Sequence, residues 1–326
     1  MITVLTGGTG GAKFVDGLRH VVAPEELTIV VNTGDDTLWS GLHVSPDIDS
    51  IIYMLADKLS PERGWGVEHD TFYCLKTMGE MGEPTWFTVG DRDLAMHLLR
   101  TKLLAEGKTL SKAISEIAMR LGIKARVLPM TDSRVETRIL TAAGELNFQE
   151  YFVQRRHRDE VKQVRFAGSE HAVAAGGVVD AIRNAELVLL APSNPVTSIG
   201  PILSVPGVRD ALRATDAEVA AVSPIVGESA VTGPAGAMLA SQGFATSIAG
   251  VADFYRDFLD ILVVDTQDSF AAADLQAARR DKLRVHCTST IMRKHGDRIA
   301  LAREVIEACR QSPTMNCKAG AVLERA

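Results

Sequence analysis

The feature that most constrains this chain is a glycine-rich run directly behind its first apolar segment. Ile2–Leu5 reads as a buried strand, and Thr6-Gly7-Gly8-Thr9-Gly10-Gly11-Ala12-Lys13-Phe14 follows it into a helix expected from about Ala12 to Val22. Without a Cβ, glycine lets backbone N–H groups approach a ligand closely and adopt positive φ where needed. At a helix N-terminus those groups also carry partial positive charge, which suits phosphate. Neither standard nucleotide fingerprint is met. Lys13 has no Ser or Thr after it, and Gly8-Thr9-Gly10 is not followed by a glycine three places on. The run therefore predicts either an anion site of unfamiliar spacing or a plain strand-to-helix turn.

Other strand signals decide the fold class. Leu27–Asn32, Leu187–Ala191, Glu218–Ser223, Ile261–Asp265 and Leu283–Cys287 are short apolar runs bounded by turn residues. Short strands apolar on both faces, alternating with helices, predict a parallel sheet covered on both sides. The expected architecture is α/β, a doubly wound Rossmann-like sheet. Between about Asp49 and Leu121 helical spacing dominates, over Asp49–Leu59, Phe72–Met78, Arg92–Ala105 and Leu110–Leu121. Val127–Met130, Glu136–Leu140 and Asn147–Val153 then predict a small β-rich segment. Gln154–Arg158 reads as a solvated strand end. The expected organisation is a core of residues 1–48 and 170–311, a helical insertion with the β-rich segment over residues 49–169, and a tail at 312–326.

Composition narrows the class. The 326 residues are 46% hydrophobic and 23% charged, and the net charge is −6. That balance argues against a nonspecific nucleic-acid binder. No apolar run reaches the roughly 18 residues of a membrane span. No signal peptide is seen ahead of the first strand. Cys74, Cys287, Cys309 and Cys317 are scattered and read as reduced thiols, so a cytoplasmic location is expected. The eight histidines form no H-x-x-x-H pair, so carboxylate ligands, and with them Mg²⁺, are expected for any metal.

Polar, Gly- and Pro-rich loops follow several of the strands: Asn32-Thr33-Gly34-Asp35-Asp36, Ala191–Pro201 and Ser223–Gly227. In an open α/β sheet these loops share one edge, where ligands bind. Asp35 and Asp36 follow the second strand, Asp47 and Asp49 open the next helix, and Gly90-Asp91-Arg92-Asp93 opens another. Asp47, Asp91 and Asp93 can equally be helix caps. Asp35 and Asp49, flanking the glycine loop, are the better candidates for Mg²⁺. No nucleophile motif stands out, which fits phosphoryl-type transfer.

These motifs match a known family. Thr6–Gly11, Asn32–Asp36, Pro46–Asp49, Pro61–Gly66, Trp86–Ala95, Ala191–Leu203 and Ser223–Ile225 occur in order over residues 1 to about 240. On them the chain resembles the 2-phospho-L-lactate transferases of coenzyme F420 biosynthesis. The resemblance implies a Mg²⁺-dependent transfer of a phosphorylated C3 acid, 2-phospholactate or phosphoenolpyruvate. The donor would be guanosine diphosphate-linked and the acceptor the deazaflavin Fo, with GMP released. It also implies a homodimer. Asp35, Asp36 and Asp49 are the expected catalytic carboxylates, with Asp35 and Asp49 on the metal. Asp49, if not on the metal, would orient or deprotonate the Fo hydroxyl. Asp49, Thr88, Asp91 and Arg92 are the expected Fo contacts. Gly7, Gly8, Thr9, Gly10, Gly11, Lys13, Asn194, Ser198, Ile199, Gly200 and Ser223 are the expected nucleotide contacts. Gly7, Gly8, Gly10 and Gly11 would present N–H donors to the diphosphate. Asn194 and Ser198 would read guanine or ribose, and Trp65, Trp86 and Phe87 would cover the deazaflavin.

Two rivals follow from the same residues. One is a noncatalytic nucleotide-sugar-binding regulator of the related gluconeogenesis-factor family, against which Trp86-Phe87 and Gly90–Asp93 argue. The other is a nicotinamide-dependent dehydrogenase. The missing G-x-G-x-x-G spacing disfavours it, as does Asn32 where an acidic residue would bind ribose. No residue declares which C3 acid is carried, although Pro61–Gly66 resembles actinobacterial members and favours phosphoenolpyruvate.

Overall fold

The computed structural model describes residues 1–279 and 283–310. The expected tail at 312–326 and Cys317 lie outside the described residues. In chain order the strands are β1 (Ile2–Thr6), β2 (Leu27–Val31), β3 (Thr37–Trp39), β4 (Leu42–Val44), β5 (Arg126–Pro129), β6 (Glu136–Thr141), β7 (Gly144–Asn147) and β8 (Val161–Ala167). They continue with β9 (Leu187–Leu190), β10 (Glu218–Val222), β11 (Ile225–Val226), β12 (Ser229–Ala230), β13 (Ile261–Asp265) and β14 (Arg284–Thr288). Seven of them form one sheet in the order β14-β13-β10-β9-β1-β2-β5, and every neighbouring pair is parallel. The doubly wound α/β architecture expected from the sequence is therefore present. Its strand order reverses between β1 and β9, and that reversal is where such sheets open a ligand crevice.

Period-two burial explains why the strand signals were continuous apolar runs. In β1, Ile2 and Val4 join one core while Leu5 joins the other. In β9, Leu187 and Leu189 oppose Val188 and Leu190 in the same way, as Ile261 and Val263 oppose Leu262 and Val264 in β13. Both faces of a central strand must then be apolar. One core is closed by α1 (Gly8–Leu18), α2 (Pro46–Leu55), α5 (Leu110–Arg120) and the final helix His295–Arg310, through Phe14, Ile52, Ile114 and Val305. The other is closed by helices Val178–Arg183, Val208–Ala214 and Ile248–Phe254. Two further helices, α3 (Tyr73–Glu80) and α4 (Asp93–Ala105), lie between α2 and α5 in the chain and complete the expected helical insertion.

The structure corrects three sequence expectations. The run Val127–Met130 was assigned to the β-rich segment, but Arg126–Pro129 is the edge strand of the main sheet, pairing parallel to β2. The range 49–169 is thus not separate from the core. A short apolar run does not disclose its partner. Here the preceding helix α5 returns the chain beside β2 in a strand–helix–strand crossover. Asn147–Val153 is not a strand. After Asn147 the backbone turns, because the Asn147 side chain accepts from the Glu150 N–H while Glu150 accepts from the Asn147 N–H, both at 2.9 Å. A π-helical turn, Glu150–Gln154, follows. The basic run Gln154–Arg158 is a turn with positive φ at Arg156 and His157, and not a strand end. The small sheet is antiparallel, in the order β7-β6-β8. Among the described residues, no helix is long and apolar enough to cross a membrane.

α1 and the final helix approach closely at Gly17. A Cβ on Gly17 would lie 2.1 Å from the Arg298 carbonyl oxygen. Gly17→Ala would gain about 0.8–1 kcal/mol of helix propensity. Forcing two backbones apart costs typically 1–3 kcal/mol. The variant is expected to be less stable by about 1 kcal/mol, read as a lower urea midpoint with an unchanged slope.

Candidate functional site

The crevice at the strand reversal is built by three loops drawn into contact. The glycine turn after β1 is so close to its neighbours that side chains are excluded. A Cβ on Gly7 would meet Asp47 Oδ2 at 2.6 Å and Ser198 Cβ at 2.9 Å, and Gly8 adopts φ +68°. A Cβ on Gly10 would lie 2.6 Å from the Pro192 carbonyl oxygen. The unusual glycine spacing thus answers first to loop packing. It also changes which amides are free. The Gly7 N–H donates to Ser193 Oγ at 3.3 Å, and the Gly8 N–H donates to Asp47 Oδ1 at 2.8 Å. Gly11 lies beyond the first three residues of α1, where intrahelical bonding begins. Of the amides expected to face a ligand, Gly10 remains, joined by Thr9.

Asp47, for which the sequence left helix capping and a site role open, is the knot of this arrangement. Besides Gly8 it accepts from Asn32 Nδ2 at 2.9 Å, and Asn32 Oδ1 accepts in turn from the Gly34 N–H. Asp35 lies close by, and its Oδ1 is buried without a hydrogen-bond partner. Burial, reinforced by the Asp47 and Asp36 charges, pushes the Asp35 carboxyl well above the usual carboxylate range. Burial also raises Asp36 well above that range, with Asp49 and Asp47 adding to the effect. Asp47 is raised mainly by burial, against the Asn32 and Gly8 donors that favour its charge. Crowded, desolvated carboxylates with an unsatisfied oxygen are a hard-oxygen donor set that suits Mg²⁺.

Asp49 is held differently. Both its oxygens accept from Arg100, at 2.6 and 2.9 Å, and Arg100 is fully buried. Arg100 also donates to the His43 carbonyl oxygen and to His97 Nδ1. Burial, followed by the Arg100 charge, lowers His43 to about 4, so its ring is neutral at physiological pH. The Tyr53 hydroxyl donates to Asp93 Oδ1 at 2.5 Å, and burial raises its ionisation well above the usual range. Asp93, His97 and Arg100 come from α4 at spacings of four and three, so they project from one helix face. A polar stripe buried against α2 was readable as a period in the sequence but was not singled out.

A cavity of about 350 Å³ runs along these groups. Gly7, Gly8, Thr9, Gly10, Asp35, Asp49, Thr88, Asn194 and Ser198 line it, as expected from the sequence. So do Asp47 and Asp93, which the sequence left open between cap and site, and Tyr53, His97 and Ser193, which it did not name as site residues. Trp65 and Phe87 line one wall, while Trp86 stands edge-on behind Phe87 at 5.8 Å. Phe148 and Phe152, stacked at 5.3 Å, also line the cavity and were not anticipated, because that stretch was read as a strand.

Other expected contacts lie elsewhere. Asp91 accepts from the Tyr73 and Cys74 N–H groups and so caps α3. Asp70, not Asp91 or Asp93, receives the Arg92 and Asp93 N–H groups at the start of α4. Arg92 lines a separate cavity of about 540 Å³ between α2, α4 and α5. Asp36, Gly11, Lys13, Ile199, Gly200 and Ser223 are outside the lining of the 350 Å³ cavity. Asp36 accepts from Ser45 Oγ, Ile199 is core, and Ser223 Oγ donates to the Ile225 carbonyl across a turn. Gly200 passes so close to Phe166 that a Cβ would sit 2.8 Å from the ring. Asn194 Oδ1 accepts from the Val196 and Thr197 N–H groups, so only its amide nitrogen is offered elsewhere.

Removing one partner of a buried ion pair leaves the other charge uncompensated, at about 3–5 kcal/mol. Arg100→Met is expected to cost an amount in that range, measured by chemical denaturation. Adding Asp49→Asn should recover part of the loss, since the orphaned charge is then gone. Additive losses would mean that the pair is not coupled.

The family model described as 2-phospho-L-lactate transferase CofD matches residues 2–303. The 2-phospho-L-lactate transferase of Methanocaldococcus jannaschii is 42% identical over 95% of this chain and 98% of that protein. That of Methanothermobacter thermautotrophicus is 43% identical over 93% and 96%. Two crystal structures of a Bacillus halodurans protein, one described as a member of the UPF0052 family, superpose with TM-scores of 0.62 and 0.64 at 16% identity. Each covers 94% of this chain and 98% of the other, a likeness of fold. With a family model spanning almost all of the described residues and relatives above 40% identity along nearly its full length, the chain belongs to the 2-phospho-L-lactate transferase CofD family.

Proposed function

We propose that this protein transfers a phosphorylated C3 acid from a guanosine diphosphate-linked donor to the deazaflavin Fo, releasing GMP. The observation that carries the reading is one cavity in which a helix N-terminus, crowded carboxylates and aromatic walls meet at the strand reversal. Family membership supplies the reaction class, and the names of the relatives favour 2-phospholactate as the acid.

The roles follow from what each group still has to offer. The Thr9 and Gly10 amides and the positive end of α1 would bind the donor diphosphate. Asp35 and Asp47 would hold Mg²⁺, while Asp49, paired with the Arg100 guanidinium, would keep its remaining lone pairs for a hydroxyl. When bound, the ion would neutralise the diphosphate and favour charge build-up on the leaving oxygen. Asp49, fixed by Arg100, would accept a hydrogen bond from the Fo hydroxyl and aim its oxygen at the phosphorus. The new P–O bond forms as the bond to the GMP oxygen breaks, and the hydroxyl proton passes to solvent. Trp65, Phe87, Phe148 and Phe152 would supply flat apolar surface for the two ring systems. In such a reaction positioning and charge stabilisation carry the catalysis.

Mass spectrometry of the product formed with Fo, Mg²⁺ and each donor tests the reading. Phospholactate and phosphoenolpyruvate products differ by two hydrogens. Absence of GMP and of any Fo adduct with either donor would overturn it. The metal assignment has its own check. A carboxyl raised in the fold keeps its proton above the unfolded value of 3.8, so its contribution to stability falls as pH rises through that window. Mg²⁺ needs the deprotonated form, and its binding releases those protons. The Mg²⁺-induced rise in Tm is therefore expected to grow from about pH 5 to about pH 8 and to vanish in Asp35→Asn. An increment that is flat with pH, or retained in Asp35→Asn, removes Asp35 from the metal.

A further inference from the structure

His97 has no role in the chemistry above, yet it is placed as a ligand-binding group. Its side chain is 1% exposed and lines the cavity beside Asp49, Asp93 and Tyr53. Its Nδ1 lies 2.9 Å from Arg100 NH2. A guanidinium only donates, so Nδ1 is the acceptor and the ring proton sits on Nε2. That Nε2 is buried and has no hydrogen-bond partner. The Asp93 Oδ1 is 3.4 Å away and already receives the Tyr53 hydroxyl.

Buried donors are almost always paired, so an orphan on a cavity wall asks for a partner. Both ring edges adjoin cavity residues, Nδ1 lying 3.6 Å from Asp49 Oδ2 and Nε2 3.4 Å from Asp93 Oδ1, and with Nδ1 taken by Arg100 the Nε2–H is the group left to offer. Phe87 and Thr88, expected on the acceptor side, line the same cavity and shortly precede in the chain the helix α4 that carries His97. We propose that His97 is an acceptor-binding residue that donates its Nε2–H to an oxygen of the deazaflavin, with Arg100 as the positioning residue that sets its tautomer. This rests on the transferase reading and adds to it a determinant of acceptor recognition. Arg100 thereby serves two groups at once, orienting the Asp49 carboxylate for the hydroxyl end and the His97 ring for the heterocycle.

Fo titration by deazaflavin fluorescence, beside GDP titration and steady-state kinetics, tests this. In His97→Phe, which keeps a planar ring and loses the donor, the Fo dissociation constant and acceptor KM are expected to rise about 10-fold, with GDP affinity unchanged. His97→Gln, whose amide N–H can reach a similar point, is expected to recover most of the loss. A second readout needs no variant. In the wild-type protein labelled with ¹⁵N-histidine, the His97 Nε2–H resonance should shift on adding Fo and stay in place on adding GDP. Fo affinity in His97→Phe within two-fold of wild type, an equal loss for Fo and GDP, or an unmoved resonance on saturation with Fo overturns the inference alone. A wild-type protein that binds no Fo overturns the transferase reading instead.

Discussion

The architecture of the site depends on one hydrogen-bonded knot around Asp47. Its carboxylate receives the Gly8 amide from the first helix and the Asn32 side chain from the end of β2. Ser193, from the loop after β9, closes the third side by accepting from the Gly7 N–H and donating back to the Gly7 carbonyl oxygen at 2.7 Å. Three strand ends that meet at the sheet's reversal are thereby tied at one point. Side chains on Gly7 or Gly10 would break the tie by steric contact alone. The glycines are needed because the loops must touch, and the touching loops leave only selected amides free.

That knot draws carboxylates together in a buried place, which is unfavourable without a cation. Asp35, Asp36 and Asp47 all respond by rising above the ordinary carboxylate range, with burial as the leading cause. Groups perturbed by desolvation and by like charge cluster where a protein does chemistry. Asp49 sits beside them but answers to a different partner. Both its oxygens are held by the buried Arg100 guanidinium. On the proposed reading, the two kinds of acidic group would divide the labour between neutralising a phosphate and orienting an attacking hydroxyl.

The buried stripe on α4 connects this chemistry to the insertion. Asp93, His97 and Arg100 reach across to α2 through Tyr53 and Asp49, so α4 is tied to α2 by polar contacts. Polar networks of this sort fix one arrangement, because any slip leaves a buried charge unpaired. The aromatic wall is held from the same side, where the Arg63 guanidinium lies 5.4 Å from the rings of both Trp65 and Phe72. The aromatic wall and the Asp49 carboxylate are therefore set by one continuous scaffold.

The sequence alone determined the layered class of the fold and the edge on which the site lies. Apolar runs such as Ile261–Asp265 must be buried on both faces, and turn residues after them must lie at one end of the sheet. It also carried enough motif to show the family. It did not determine the partners. Arg126–Pro129 looked like any short strand until α5 placed it beside β2. That Asp91 receives the Tyr73 and Cys74 amides could not be read from the chain order. Nor could the pairing of Asp49 with Arg100, 51 positions away. Composition and period report what a residue prefers, local and additive. Which atom satisfies which is a long-range matter of geometry, and only the tertiary structure settles it.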